Sequence, residues 1–316
     1  SNKEQREAER AAKEAETAKW TIDRLWSEYK AGRGPGKALT ADASRYKKYL
    51  KAAFANKEPK DVLSLDVDRM RVNLLKKKSP QTVKHVLNLL TWIVNFGVKN
   101  GLCPGLPFHV RKPEVHNEKT EDLTQEQLRN LLEAIKQDTH PQAGHMMLLV
   151  LYTGMRRGEV FRLKWDDIDF ERGFIHIRDP KGGPDQKIPL NDAAKEVLEN
   201  IPATDSPFVF PGRGGKQRTT IRAVNTIKEK AGLPTDFRPL HGLRHVYASM
   251  LASSGKVDMY VLQKLMTHKT PKMTQRYAHL RDEALKQAAE LAGTIVKEAA
   301  HKKNQEQVVQ LDEHKN

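Results

Sequence analysis

The stretch His241-Gly-Leu-Arg244-His245, continued by Leu265-Met-Thr-His268 and Thr274-Gln-Arg-Tyr277-Ala-His279, decides how the chain is read. Histidines, an arginine and a tyrosine recur over fewer than forty residues, and Asp258 is the only carboxylate among them. No serine triad or cysteine pair accompanies them. Arginine is the side chain suited to bidentate phosphate binding. Tyrosine is a nucleophile once its proton is taken. The combination points to phosphoryl transfer onto tyrosine, with DNA as the phosphate source.

Local signals place these residues on short helices. Pro239 opens one, so that His241 and Arg244, three apart, share a face in its first turn, where the free N–H groups and the helix dipole favour an anion. A second helix is expected over Val257–Met266. Thr270-Pro271 reads as an N-cap with proline at the first helical position, which puts Tyr277 about two turns into the last helix of this block.

Outward from the block, the 316 residues carry a formal charge of +15 and a pI near 9.7. Such a balance suggests a polyanionic partner. The single cysteine, Cys103, excludes an internal disulfide framework and a cysteine-ligated metal cluster, and fits a reducing cytoplasm. No apolar run reaches membrane-span length, and no signal peptide is evident.

Residues 1–18 are Lys, Arg, Glu and Ala, with four basic and five acidic side chains between Lys3 and Glu16, and read as a charged helix or linker. From 19 to 110 the pattern is helical. Trp20, Ile22, Leu25, Trp26 and Tyr29 form one stripe, Tyr46 to Phe54 a second helix, Asp66 to Lys78 a third, and Ser79-Pro80 caps a fourth that ends at Gly101. The exposed candidates for DNA contact here are Arg45, Lys47, Lys48, Lys51, Lys76, Lys77 and Lys78; a solvated basic face is the plain alternative. Residues 111–120 read as a linker. Thr124-Gln-Glu-Gln127 resembles a capping box. Gly144–Tyr152 is a buried helix ended by Gly154. Arg156 and Glu159 are expected on one helical face as an ion pair. Strands at 174–178 and 187–190 flank a turn carrying Lys181, Ile221–Ala231 is a further helix, and Glu283–Ala300 is an alanine-rich one.

Taken in order, Thr153-Gly-Met-Arg156-Arg-Gly-Glu159, Lys181, His241-Gly-Leu-Arg244-His245, His268 and Arg276-Tyr277-Ala-His279 resemble the boxes of the tyrosine recombinases, the phage integrase family, over roughly 120–290. The resemblance implies a mostly α fold with a small β-hairpin or sheet: a helical, SAM-like core-binding domain at 19–110 and a mixed α+β catalytic domain at 121–290. It further implies that a C-terminal segment, helix and tail, at 291–316 docks onto a neighbouring subunit, with packing on its own domain as the plain alternative. It implies a site-specific DNA recombinase of a mobile element. Tyr277 attacks a phosphodiester to give a 3′-phosphotyrosine, Arg156 and Arg244 clamp the phosphate, Lys181 protonates the leaving 5′-oxygen, His241 assists proton transfer, His268 donates to a phosphate oxygen, and Glu159 orients Arg156 or His241. Neither metal nor other cofactor is implied. The implied partners are double-stranded DNA sites, a homo-tetramer on that DNA and DNA-bending accessory proteins, with no membrane, in a bacterial or phage-derived setting on the nucleoid. Two alternatives stay open: a type IB topoisomerase-like strand transferase and a non-catalytic DNA-binding protein. Two positions depart from the family pattern, Met266 where glycine is frequent and Val246 where threonine is frequent.

Overall fold

The computed structural model describes residues 19–115, 121–178, 180, 184–281, 285–286 and 288–297. Lys181, the start at 1–18 and the tail at 298–316 lie outside them. The chain divides into two compact units between residues 117 and 118.

The first unit is helical. Helix α1 (Ile22–Ala31) starts at Thr21, whose hydroxyl accepts from the Arg24 amide, and buries the Ile22, Leu25, Trp26, Tyr29 stripe. Helix α2 (Lys37–Arg45) runs through a π-turn at Tyr46–Leu50 into the single turn α3 (Lys51–Phe54). The widened turn directs Tyr46 onto Trp26, ring centroids 4.8 Å apart, with its hydroxyl donating to Asp23 at 2.8 Å. Helix α4 (Ser64–Leu75) follows. Helix α5 (Pro80–Lys99) is capped by Ser79, has proline at its first position and buries eight residues from Val83 to Gly97. It is followed by Gly101 in the left-handed region, φ +68.

The second unit begins with α6 (Gln125–Lys136), where both bonds of the Thr124–Gln127 capping box form. Helix α7 (Ala143–Thr153) is buried along most of its length and anchors the core. It stops at Gly154, φ +66, where an added Cβ would stand 2.5 Å from the Tyr247 ring. Conformation and space both demand glycine there. A one-turn helix α8 (Arg157–Val160) leads to an antiparallel sheet in the order β1 (Ile168–Asp169), β2 (Phe174–Ile177), β3 (Gln186–Pro189), with Ile175 opposite Ile188. Strand β1 and helix α9 (Asp192–Glu199, capped by Asn191) add to the elements expected from sequence. Helix α10 (Ala223–Lys230) packs on α6, and α11 (Pro239–Ser253) packs on α7. Helices α12 (Met259–Leu265) and α13 (Pro271–Gln275) complete the unit. Asp258 accepts from the amides of Tyr260 and Val261, so α12 starts two residues later than expected. Residues 288–297 are helical.

Candidate active site

Helix α11 carries His241, Arg244 and His245. His241 is its third residue, and Arg244 lies in the second turn rather than the first. Gly242 is needed for close approach: a Cβ there would meet Phe237 at 2.7 Å and the Glu121 carboxyl at 3.2 Å. Glu121 accepts from the Arg238 backbone amide, Nε and Nη2 at 3.1, 3.2 and 2.9 Å, which ties the start of the unit to the cap of α11. Burial pushes the Glu121 carboxyl up, but its bonds to Arg238 outweigh that and hold it below its ordinary value.

Arg244 is 4% exposed. Its Nη1 donates to the Gly154 carbonyl at 2.5 Å and its Nη2 to the Met266 carbonyl. Burial, then the Arg156 charge, lower its pKa to about 10. Arg156 does not sit on a helical face with Glu159 as expected. It is the extended N-cap of α8, and Glu159 is the third residue of that helix. The expected ion pair does form, but across the helix start: Glu159 accepts from the Arg156 amide and from its Nη1, both at 2.8 Å, and the guanidinium, which has no acceptor, caps nothing in return. The same Nη1 reaches the Thr267 hydroxyl at 2.5 Å, and Nη2 reaches the Thr267 carbonyl at 2.9 Å. Three of the five guanidinium protons are thus committed, which leaves Nε–H and one Nη2–H for an anion.

Met266, where the family often has glycine, has an ordinary φ of −78, whereas its neighbour Thr267 has φ +48 and is the one non-glycine residue with positive φ among those described. His268 follows it, and its Nδ1 pairs with the Thr274 hydroxyl at 2.9 Å. Burial, then the Arg244 and Arg156 charges, lower its pKa to about 3.

Helix α13 ends at Gln275, so Tyr277 stands just past it and not two turns inside. The Tyr277 amide donates to Thr274 in a tight turn. Its ring is 1% exposed and packs among Ala248, Ala252, Leu262 and Met266. Its hydroxyl is 2.6 Å from His245 Nδ1, and His245 Nε2 is 3.2 Å from His241 Nε2. Burial raises the Tyr277 pKa, opposed by Arg244 and Arg276. Burial, then the neighbouring His241, lowers that of His245 to about 4; burial, then Arg238, lowers that of His241.

The structure thus brings Arg156, His241, Arg244, His268 and Tyr277 together, with Glu159 behind Arg156. Lys181 lies outside the described residues. Sequence reasoning gave His245 no role, although its spacing of four from His241 puts both on one face of α11. It gave none to Thr267 or Glu121, and no sequence signal marks either pairing. Among the described residues, no three His, Cys, Asp or Glu side chains converge as metal ligands. In the first unit Lys47, Lys48, Lys51, Lys76, Lys77 and Lys78 are exposed, whereas Arg45 is bound to the buried Asp42 at 2.8 Å and is not a free cation.

A profile of the phage integrase family matches residues 121–284, just over half the chain (164 of 316 residues). The chain belongs to the phage integrase family, and with it to the tyrosine-type site-specific DNA recombinases. The tyrosine recombinase XerA of Pyrococcus furiosus is 31% identical over 193 residues, which cover 59% of this chain and 66% of that protein. The Tn1549 transposon integrase in complex with circular intermediate DNA shares the fold at a TM-score of 0.70 and 19% identity, over 85% of this chain and 99% of that one. A lambda integrase tetramer bound to a Holliday junction does so at 0.66 and 19%, over 84% and 79%.

Proposed function

We propose that this phage integrase family member cuts and rejoins DNA at specific sites through Tyr277, as the recombinase of a mobile element. The observation that carries this is the convergence of a buried tyrosine with two histidines and two arginines that reach one another through the loops at Gly154 and 266–268. A protein that only binds DNA has no use for this arrangement, in which the hydroxyl is buried beside a neutral imidazole.

The Tyr277 oxygen attacks a DNA phosphorus and displaces the 5′-oxygen, leaving a 3′-phosphotyrosine. The free donors of Arg156 and Arg244 hold the non-bridging oxygens and offset the charge that builds on them. Glu159 and the Thr267 carbonyl fix the plane of the Arg156 guanidinium before DNA arrives. His268, oriented by Thr274, donates to a phosphate oxygen; the neutral ring has its remaining nitrogen for this. His241 assists removal of the phenolic proton. Lys181 is the acid for the leaving oxygen. The bond energy is kept in the phosphotyrosine, so rejoining is the reverse of the same step.

The substrate is double-stranded DNA, and the working assembly is a tetramer of this chain. The lambda integrase tetramer on a Holliday junction, of like fold, supports this. The exposed lysines of α3, of the π-turn before it and of the end of α4 supply phosphate contacts, which give affinity without sequence. DNA-bending proteins assist assembly, and the reaction takes place on the nucleoid in the cytoplasm; no helix among the described residues is long and apolar enough to cross a membrane. A suicide substrate, nicked so that the cleaved 5′ fragment diffuses away, tests the chemistry. A covalent protein–DNA adduct on denaturing gels is expected. Its absence with every candidate site sequence from the flanks of the element overturns the reading. Relaxation of supercoiled DNA lacking a recombination site would favour the topoisomerase-like alternative.

A further inference from the structure

The Tyr277 hydroxyl makes its hydrogen bond to His245 and not to His241, and the three groups lie in a row: Tyr277 Oη to His245 Nδ1 at 2.6 Å, then His245 Nε2 to His241 Nε2 at 3.2 Å. We propose that His245 is the residue that takes the proton from Tyr277, with His241 as the next station outward. The inference rests on the strand-cleavage reading above.

Proton counting fixes the direction. A neutral imidazole has one N–H and one acceptor nitrogen. If Tyr277 donates to His245 Nδ1, then His245 carries its proton on Nε2 and donates it to His241 Nε2, so the hydroxyl proton and the His245 proton each have an acceptor. The opposite order leaves the hydroxyl proton of a tyrosine that is 1% exposed with no acceptor among the described residues, a costly arrangement for a buried polar group. The rings are held for the task. His245 is 4% exposed, and its plane lies at 88° to that of His241, with centroids 4.8 Å apart. His241 and His245 are one turn apart on α11, so the helix sets their spacing.

In cleavage the Tyr277 O–H bond breaks and its proton goes to His245 Nδ1. The phenolic oxygen bonds to phosphorus, the bond from phosphorus to the 5′-oxygen breaks, and that oxygen takes its electron pair and a proton from the general acid. The His245 imidazolium passes its Nε2 proton to His241. In rejoining, the 5′-hydroxyl displaces the tyrosine and the same row returns the proton. Arg238, Glu121, Arg244 and Arg276 are the further charged groups around the two rings.

The test uses the full chain and a suicide DNA substrate. His245→Asn keeps a polar atom near Nδ1 but cannot carry a proton. Adduct formation is expected to slow by about 100-fold or more, with DNA binding unchanged. Replacement of Tyr277 by 3-fluorotyrosine, whose hydroxyl is more acidic, is expected to restore part of the rate in the Asn variant and to leave the otherwise unaltered chain little changed. Adduct formation within about threefold of the unaltered chain overturns the proposal and makes His245 a packing partner, and a faster rate overturns it in favour of a restraint on the tyrosine. An unaltered chain that forms no adduct instead defeats the strand-cleavage reading. Where the Asn variant fails to fold, ¹⁵N spectra of the unaltered chain decide: an acceptor Nδ1 and a protonated Nε2 on His245 are expected, and a protonated Nδ1 overturns the proposal.

Discussion

Arg156 and Thr267 lie 111 residues apart and are joined by two hydrogen bonds, to the threonine hydroxyl at 2.5 Å and to its carbonyl at 2.9 Å. The threonine adopts φ +48, a conformation unfavourable for a β-branched residue, and is 4% exposed. The bond to the guanidinium offsets that strain. Thr267→Val exchanges the hydroxyl for a methyl and should lower unfolding stability by about 1–3 kcal/mol. Thr267→Gly relaxes the backbone and should cost less. Urea unfolding of both variants checks this, and a valine variant as stable as the parent sinks the account.

The Tyr277 hydroxyl is also the nucleophile in our reading. Tyr277→Phe keeps the ring among Ala248, Ala252, Leu262 and Met266. DNA binding within a few-fold of the parent and no covalent adduct are expected on a nicked substrate. An adduct from the phenylalanine variant would end the nucleophile assignment.

Lys181 has a competitor in Lys187, which is exposed on β3 opposite His176. A DNA with a bridging 5′-sulfur releases a thiolate, which needs no general acid. It should largely restore cleavage by Lys181→Ala. Restoration of Lys187→Ala alone would move the role to Lys187.

Much of this site is legible in sequence because its residues sit near local signals. Pro239 and Pro271 start helices, Gly154 stops one, and the spacing of Arg156 and Glu159 does encode a pair. The ion pair is as expected, but its place is not, because a spacing of three fits both a helix face and an N-cap with the third helical residue. The place of Tyr277 past the end of α13 follows from a tight turn at Thr274 that carries no proline or glycine mark. The left-handed backbone at Thr267 has no sequence mark, because threonine rarely adopts positive φ. Strand β1 is two residues long and exists only through its pairing with β2. The link of Glu121 to Arg238 spans 117 residues and has no local trace.

Acid should unfold the catalytic unit early. The folded pKa values of His245 and His268 stand at about 4 and about 3, below the ordinary 6.5, with burial as the first cause of each. Between these values the unfolded chain binds more protons than the folded one. The stability from the neutral rings is therefore complete above pH 6.5 and is lost as pH falls through the folded values, at up to about 1.4 kcal/mol per pH unit for each ring. Melting temperatures measured from pH 7 to pH 4 should fall, and fall less steeply in His268→Asn. Equal slopes in the two proteins would show that His268 is not among the groups responsible.

The C-terminal helix presents apolar side chains to no partner within the described chain. Leu285, Leu291, Ile295 and Val296 are 66%, 60%, 57% and 69% exposed. Residues 291 and 295 are one turn apart, so part of this surface is a single stripe, which is costly to leave in water unless something covers it. In sequence the helix follows the nucleophile closely, after the short turn at Ala278–Arg281 and three residues outside the described ones. A neighbouring subunit that takes the helix would therefore pull directly on the segment that positions Tyr277. Docking in trans explains both the exposed stripe and its place in the chain. Truncation after Ala284 should leave monomer binding to DNA largely intact, weaken multimer formation on DNA and change the cleavage rate. Native gel shifts and analytical ultracentrifugation on site DNA read the first two, and the suicide substrate reads the third. If the truncated protein assembles on its site as well as the full chain does, the helix does not dock on a neighbour and its exposed stripe plays no part in assembly.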